Sequence, residues 1–334
     1  MDFTHRFGVL AIQHLQNNYR EYCSFLSFMS TVGDPRNIFS IYFPLWFHLN
    51  NTDIFSFRFV EILLKSNAIT KYHRKVVNPV PGGFCFCAGS PSGHAMGSSC
   101  VWYVMITSAL KFASGVSSVR SSQRFHFLRS FLWVTFWVIQ ISVCLSRVYI
   151  ATHFPHQVIL GLIAGMLVAE VFDHIPSIYR ASLKSYLQVN VFLLSFAVCF
   201  YLLLKLLDFD PLWSVVKAKK WCANPDWIHL DTTPFAGLWR NLGALFGLGL
   251  AVNSEMFVQS CKGKNGSKAA FKLMCVAASL TFLQLCDLIK MPTHNEALFY
   301  FLSFCKSASV PFGVAAVVLY CVHLLIRDEE RKLS

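Results

Sequence analysis

Apolar residues along this chain fall into blocks near the length needed to cross a hydrocarbon core of about 30 Å, roughly 20 residues at helical rise. Clear blocks cover residues 95–112, 127–146, 157–173, 188–207, 235–253, 270–289 and 298–326. A weaker one covers 24–49, and a weaker patch still covers 54–64. Each block predicts a helix, and together they predict an all-α polytopic membrane protein. Met1–Asn18 has a different pattern: it is amphipathic and lacks the continuous apolar stretch of a cleaved signal peptide, although Arg6 comes early. The spans themselves are therefore expected to target the protein. With no long repeat, low-complexity tract or linker evident, residues 1–334 read as one integral membrane domain.

Composition supports the pattern. Hydrophobic residues make up 55% of the 334 and charged residues only 14%, with a mean hydropathy of +0.49. Soluble domains carry about a quarter charged residues, so both disorder and a soluble globular enzyme are disfavoured. The formal net charge of +12 is not massed on a soluble domain, and no nucleic-acid partner is expected. Its placement reports topology instead. Lys111, Arg120, Arg124 and Arg129, then Arg180 and Lys184, then Lys262, Lys264, Lys268 and Lys272, and finally Arg327, Arg331 and Lys332 fall on one side. The positive-inside rule makes that side cytosolic. The turn 147–156, the loop 208–234 and the turn 290–297 then face the opposite compartment. Most of the 12 cysteines, such as Cys144, Cys199, Cys275 and Cys286, lie inside apolar spans and read as small buried hydrophobes. Cys85 and Cys87 lack the spacing of a zinc ligand pair, so neither a metal nor another cofactor is expected.

Two short segments concentrate polar groups at span ends on the same predicted side. The first is Gly89-Ser90-Pro91-Ser92-Gly93-His94, just before the span at Ala95. Small residues at a helix N-terminus expose backbone N–H groups and a positive partial charge, which suits an anion. The same residues also make an ordinary helix entry. The second is Ser146-Arg147-Val148-Tyr149-Ile150-Ala151-Thr152-His153-Phe154-Pro155-His156. Arg147 and His153, six residues apart, can converge across a helix end and turn, setting a phosphate ligand beside an imidazole. Interfacial snorkelling of Arg147 is the competing reading. Taken together, two imidazoles, an arginine and a Gly-Ser nest facing one compartment can run phosphoryl transfer without a metal.

Pro91-Ser92-Gly93-His94 and Ser146-Arg147-x5-His153 resemble the second and third motifs of the phosphatidate phosphatase type 2 and vanadium haloperoxidase superfamily. Within it, Gly89 to Gly97, His153-Phe154-Pro155-His156-Gln157 and Cys222-Ala223-Asn224-Pro225-Asp226-Trp227 resemble the glucose-6-phosphatase catalytic subunits. The resemblance runs through about 1–50 and 89–334. It implies about nine membrane helices and a lumenal active site in the endoplasmic reticulum membrane. It also implies glucose 6-phosphate as substrate and a separate glucose-6-phosphate transporter as partner, with lipid around the spans. Carried over by position, it makes His153 the nucleophile and His94 the acid that protonates the departing sugar oxygen. Arg147, Ser92 and Gly93 would bind the phosphate. The wider superfamily has an acid four residues after the nucleophile; this chain and the glucose-6-phosphatases have glutamine, here Gln157.

One departure is large. The family's first motif, Lys-x6-Arg-Pro, supplies two phosphate-binding cations from the second span, and no Arg-Pro dipeptide occurs in this chain. Segment 51–88 contains Lys65, Lys71, Arg74 and Lys75, none in that spacing. Its apolar patch 54–64 includes Arg58 and Glu61, each costing roughly 2.5–3.5 kcal/mol near a helix centre, so the second span is expected to be altered or missing. An impaired phosphatase follows as an expectation. Two alternatives stay open: a lipid-phosphate phosphatase, and a catalytically silent scaffold or transport-associated protein.

Lesser features complete the picture. Asp34-Pro35-Arg36 places ionisable groups in or beside an apolar region, where such groups are expensive and often functional; a helix-terminus ion pair is the plainer account. Trp221, Trp227 and Trp239 read as an interfacial belt rather than a sugar platform. Asn50 and Asn265 begin glycosylation sequons, the second on a loop expected to be cytosolic. Arg331 and Lys332 read either as a retrieval signal or as plain juxtamembrane charge.

Overall fold

The computed structural model describes residues 2–34, 37, 41–49, 91–115, 123–174, 182–208, 234–262, 269–292 and 295–333. Every regular element among them is helical. In chain order these are α1 (Asp2–Asn18), a 3-10 turn (Arg20–Tyr22), α2 (Cys23–Val32), α3 (Phe43–Leu49), α4 (Gly93–Gly115), α5 (Gln123–Tyr149) and α6 (Pro155–Asp173). Then follow α7 (Leu183–Leu206), α8 (Pro234–Val252), α9 (Glu255–Lys262), α10 (Ala269–Leu288), α11 (Glu296–Phe312) and α12 (Leu319–Leu333), the last two joined by a π-helical turn (Gly313–Val318).

Among the described residues, five helices are long and apolar enough to cross a membrane: α5, α6, α7, α10 and the continuous run Ala297–Arg327. The protein is an all-α polytopic membrane protein. α7 shows what the surface is made for, because it buries Tyr186 and Ala197 yet exposes Val191, Phe192, Phe196, Leu202 and Leu206. A helix apolar on every side and packed on one is built for lipid. α4 and α8 form where the apolar blocks predict them but fall outside that group of five. Polar residues open α4, and the apolar part of α8 is short, Ala236–Val252.

The block 24–49 does not form one span. α2 stops at Val32, where the Gly33 and Asp34 amides turn back onto Met29 and Thr31 carbonyls, and α3 (Phe43–Leu49) is a separate element. The patch 54–64 and the rest of 51–88 lie outside the described residues.

The helices cluster into two units. The first holds α1, α2, α4, α5 and α6; the second holds α3 and α7 to α12. In the first, α6 lies against α4 through Gly161 and Gly165. An added Cβ would stand 2.7 Å from the Ser92 carbonyl oxygen at Gly161 and 2.3 Å from that of Met96 at Gly165. Small residues four apart let two backbones meet this closely in a membrane. Far from the site, Tyr103 donates to Glu170 at 2.5 Å and Lys111 pairs with Asp173, fixing the other end of the same helix pair. The amphipathic α1 covers the loop joining α5 to α6. Its Ile12 packs with Ala95, Val148, Phe154 and Val158, and Gln16 Nε2 donates to the Tyr149 carbonyl at 2.7 Å.

Candidate active site

α5 carries Arg147 in its last turn on a buried face shared with Phe136, Gln140 and Val143. A cation there needs partners, and Ser30 of α2 supplies one: Arg147 Nη1 donates to Ser30 Oγ at 2.7 Å. Arg147 Nε is buried with no hydrogen-bond partner among the described residues.

The chain leaves α5 through a turn that returns to the same arginine. Ala151 takes a left-handed φ of 58°, a conformation that costs a non-glycine residue about 1 kcal/mol. The reversal lets the Thr152 and His153 amides donate to the Arg147 carbonyl at 3.2 and 3.3 Å, and Thr152 Oγ1 adds a third bond at 3.0 Å. His153 is thereby tied, by its own backbone, to the residue whose guanidinium its ring must work beside.

His153 is buried, and its Nδ1 has no hydrogen-bond partner among the described residues. Burial, and then the Arg147 charge, push its pKa down from 6.5 to about 3, with the nearby Gln157 side chain opposing part of the shift. The imidazole is neutral at physiological pH.

Gln157 joins this turn to α4. Its Oε1 accepts the Phe154 amide at 3.0 Å, closing the first turn of α6 behind Pro155. Its carbonyl accepts the Ser92 amide at 3.0 Å. Ser92 is fully buried, and its Oγ accepts the Ala95 amide at 3.5 Å as α4 begins. Gly93 follows with open space where a side chain would stand. His94 lies one residue further along α4, its Nε2 3.9 Å from Asp34 Oδ2. The Asp34 charge also reaches Arg147.

All five residues singled out for chemistry, Ser92, Gly93, His94, Arg147 and His153, therefore lie in one unit, on the adjoining ends of α4, α5 and α6. Gly89 and Ser90 lie outside the described residues, as do Trp221, Trp227 and Asn265. Trp239 stacks on Tyr300 at 6.4 Å and meets Phe304 edge-on at 6.1 Å, a packing role in the second unit. Sequence reasoning missed Ser30, although Asp34 one turn later was noticed, and it missed the Gly161-x3-Gly165 spacing. The signal for both was the i, i+4 register. Among the described residues no group of three His, Cys, Asp or Glu side chains gathers to hold a metal ion.

Residues 39–177, which include all five, match the PAP2 superfamily. Over 99% of its length the chain is 57% identical to mouse glucose-6-phosphatase 2 and 55% identical to the human protein, in each case covering 99% of the relative. It is 43% identical to mouse glucose-6-phosphatase catalytic subunit 1, over 99% of this chain and 98% of that one. The chain belongs to the glucose-6-phosphatase family. No solved structure matches it. Each of these family alignments is 353 positions long against 334 residues here, so at least 19 positions in the relatives have no counterpart in this chain.

Proposed function

We propose that this protein is a glucose-6-phosphate phosphohydrolase of the endoplasmic reticulum membrane, with its site facing the lumen and its activity reduced by the missing first motif. One observation carries the reading: Arg147 Nε and His153 Nδ1 are both buried without hydrogen-bond partners among the described residues. Among the buried polar atoms without partners, these two belong to a cation and a neutral base joined by one turn, a combination that fits a phosphate ester.

In this mechanism the neutral His153 attacks phosphorus in line, forming a P–N bond as the P–O bond to the sugar breaks. Arg147 neutralises the equatorial oxygens, with the Ser92 hydroxyl and the Gly93 amide as further donors. His94 gives its proton to the departing alkoxide and then takes one from the water that cleaves the phosphohistidine. Glucose and phosphate are released. A lumenal site needs its charged substrate delivered across the membrane, which is the reason to assign a separate glucose-6-phosphate transporter as partner.

The family's Lys-x6-Arg-Pro would add two cations to the same oxygens. Loss of one donor to transition-state charge typically costs about 10²–10³ in rate, and two such losses do not simply multiply. The test is glucose 6-phosphate hydrolysis in detergent-opened microsomes, comparing this chain, its His153→Ala variant, and a chimaera in which the relatives' segment replaces 51–88. The expected result is a small rate abolished by His153→Ala and raised at least about 100-fold in the chimaera. A chimaera that remains inactive would leave a silent scaffold as the better reading, and preferential hydrolysis of a lipid phosphate would move the substrate class.

A further inference from the structure

Asp34 occupies a position where a carboxylate is electrostatically disfavoured. α2 ends at Val32; the Gly33 amide donates to the Met29 carbonyl at 3.1 Å and the Asp34 amide to Thr31 at 3.2 Å. Asn37 Nδ2 fastens the same Thr31 carbonyl at 2.8 Å. A helix C-terminus carries a negative partial charge, which repels an acid placed there. Two groups able to carry positive charge face it: His94 Nε2 stands 3.9 Å from Asp34 Oδ2, and the Asp34 charge reaches Arg147, whose Nη1 is held by Ser30 one turn earlier in α2.

We propose that Asp34 is the positioning residue for His94, orienting its imidazole and holding it protonated for proton donation. The donating role of His94 rests on the phosphohydrolase reading above; the pairing of the two side chains does not. The alkoxide of a sugar is a poor leaving group, so His94 must arrive charged. An N–H bond of the charged imidazole breaks as an O–H bond forms on the sugar oxygen and the P–O bond to it breaks. In the second half the neutral His94 takes a proton from the attacking water, a P–O bond forms, and the P–N bond to His153 breaks. Asp34 acts through His94 and gives up no proton itself. It stabilises the charged state of His94 against the opposing Arg147 cation, while His153 stays neutral through burial. Sharing one carboxylate between His94 and Arg147 lets two cations sit near one phosphate without expelling the proton that the reaction needs.

The test uses the full chain in lipid nanodiscs with histidine labelled at Cε1 with carbon-13. The His94 resonance is assigned by its loss in His94→Gln and followed against pH. Asp34→Asn is expected to lower the titration midpoint of His94 by about half a pH unit or more, since an opposite charge within ~4–6 Å favours the charged form. Asp34→Glu should leave the midpoint near that of the unsubstituted protein. Asp34→Ser removes the charge with a smaller side chain and is read in parallel, so that misfolding of one variant does not decide the matter. A midpoint unmoved in the folded charge-removing variants overturns the proposal. The titration needs no turnover, so the two readings fail separately. A shifted midpoint with hydrolysis indifferent to His94→Gln and His153→Ala keeps the Asp34–His94 pairing and sinks the phosphohydrolase reading. In the active chimaera, Asp34→Asn should lose more rate on glucose 6-phosphate than on p-nitrophenyl phosphate, whose leaving group needs no proton. Equal losses would count against the proposal.

Discussion

The two helical units use the same packing device but differ in what surrounds their most buried histidines. In the first unit Gly161 and Gly165 admit α4 against α6; in the second, Gly243 and Gly247 of α8 admit α11, where an added Cβ would stand 2.3 Å and 1.9 Å from the Phe304 and Ala308 carbonyl oxygens. Each unit also buries a histidine. His48 Nε2 in the second unit is hydrogen-bonded to Ser279 Oγ at 2.9 Å, whereas His153 Nδ1 in the first has no partner among the described residues. The glycine pairs are scaffold, since both units have them. Unpaired buried atoms occur in both units, His323 Nδ1 and Asn190 Oδ1 among them in the second; what the first unit adds is an unpaired imidazole nitrogen and an unpaired guanidinium nitrogen on His153 and Arg147, two residues joined by one turn.

The glycine comparison gives the largest expected effect. Gly165→Leu and Gly247→Leu each drive a side chain into a facing backbone that cannot yield, and overpacking of this kind costs several kcal/mol, beyond the ~1–3 of a simple core insertion. Both variants should lose their folded fraction in detergent, seen as aggregation on size-exclusion chromatography. If either runs as a monodisperse, heat-stable species, the helix pair in that unit is not packed as described.

Next in size is the pH dependence of stability. Burial holds the folded His153 at about 3 against an ordinary 6.5, so between those values the unfolded chain binds a proton that the folded chain refuses. Its contribution is therefore neutral above about 6.5 and increasingly destabilising as pH falls towards 3, by up to about 1.4 kcal/mol per pH unit. Melting temperature in detergent should fall across that window in the unsubstituted protein and fall less steeply in His153→Asn. Parallel profiles would show that His153 is accessible to protons in the folded state.

The pairing contrast predicts opposite signs at neutral pH. Ser279→Ala strands a buried imidazole and should destabilise by about 1–3 kcal/mol. His153→Leu removes an unsatisfied buried nitrogen and should be neutral or stabilising while abolishing any His153-dependent hydrolysis. Destabilisation by both would mean that His153 is a structural residue like His48.

The sequence revealed the chemistry of the first unit more fully than its architecture. Ser92, His94, Arg147 and His153 were found because Arg and His are conspicuous at span ends in an apolar chain. Ser30 was not, because a serine in a helix carries no signal until the cation it serves is in place. The block 24–49 misled because mean hydropathy records apolar content and ignores a C-cap: Gly33 stops α2 while Phe39, Ile41 and Tyr42 keep the window hydrophobic. The glycine pairs were invisible to a reading of apolar blocks, since glycine counts there as neutral filler, yet they set the interhelical distance on which the site depends.

The smallest effect separates strain from chemistry at the turn itself. Ala151 holds φ of 58° so that the Thr152 and His153 amides can reach the Arg147 carbonyl. Glycine adopts that conformation without the steric cost, although it loses more chain entropy on folding. The two contributions oppose each other, and relief of a strained left-handed residue should prevail by about 0.5–1 kcal/mol. Ala151→Gly should therefore raise the melting temperature slightly. In the chimaera carrying the first motif, the same change should leave glucose 6-phosphate turnover within about twofold, because the bonds to the Arg147 carbonyl, not the Ala151 side chain, place His153. A lower melting temperature would show that the methyl group of Ala151 packs in the cluster around Val148 and Phe154 more strongly than the turn is strained. A lower turnover with unchanged stability would show that the left-handed residue itself aims the imidazole, and the turn would then belong to the reaction rather than to the scaffold that the two units share.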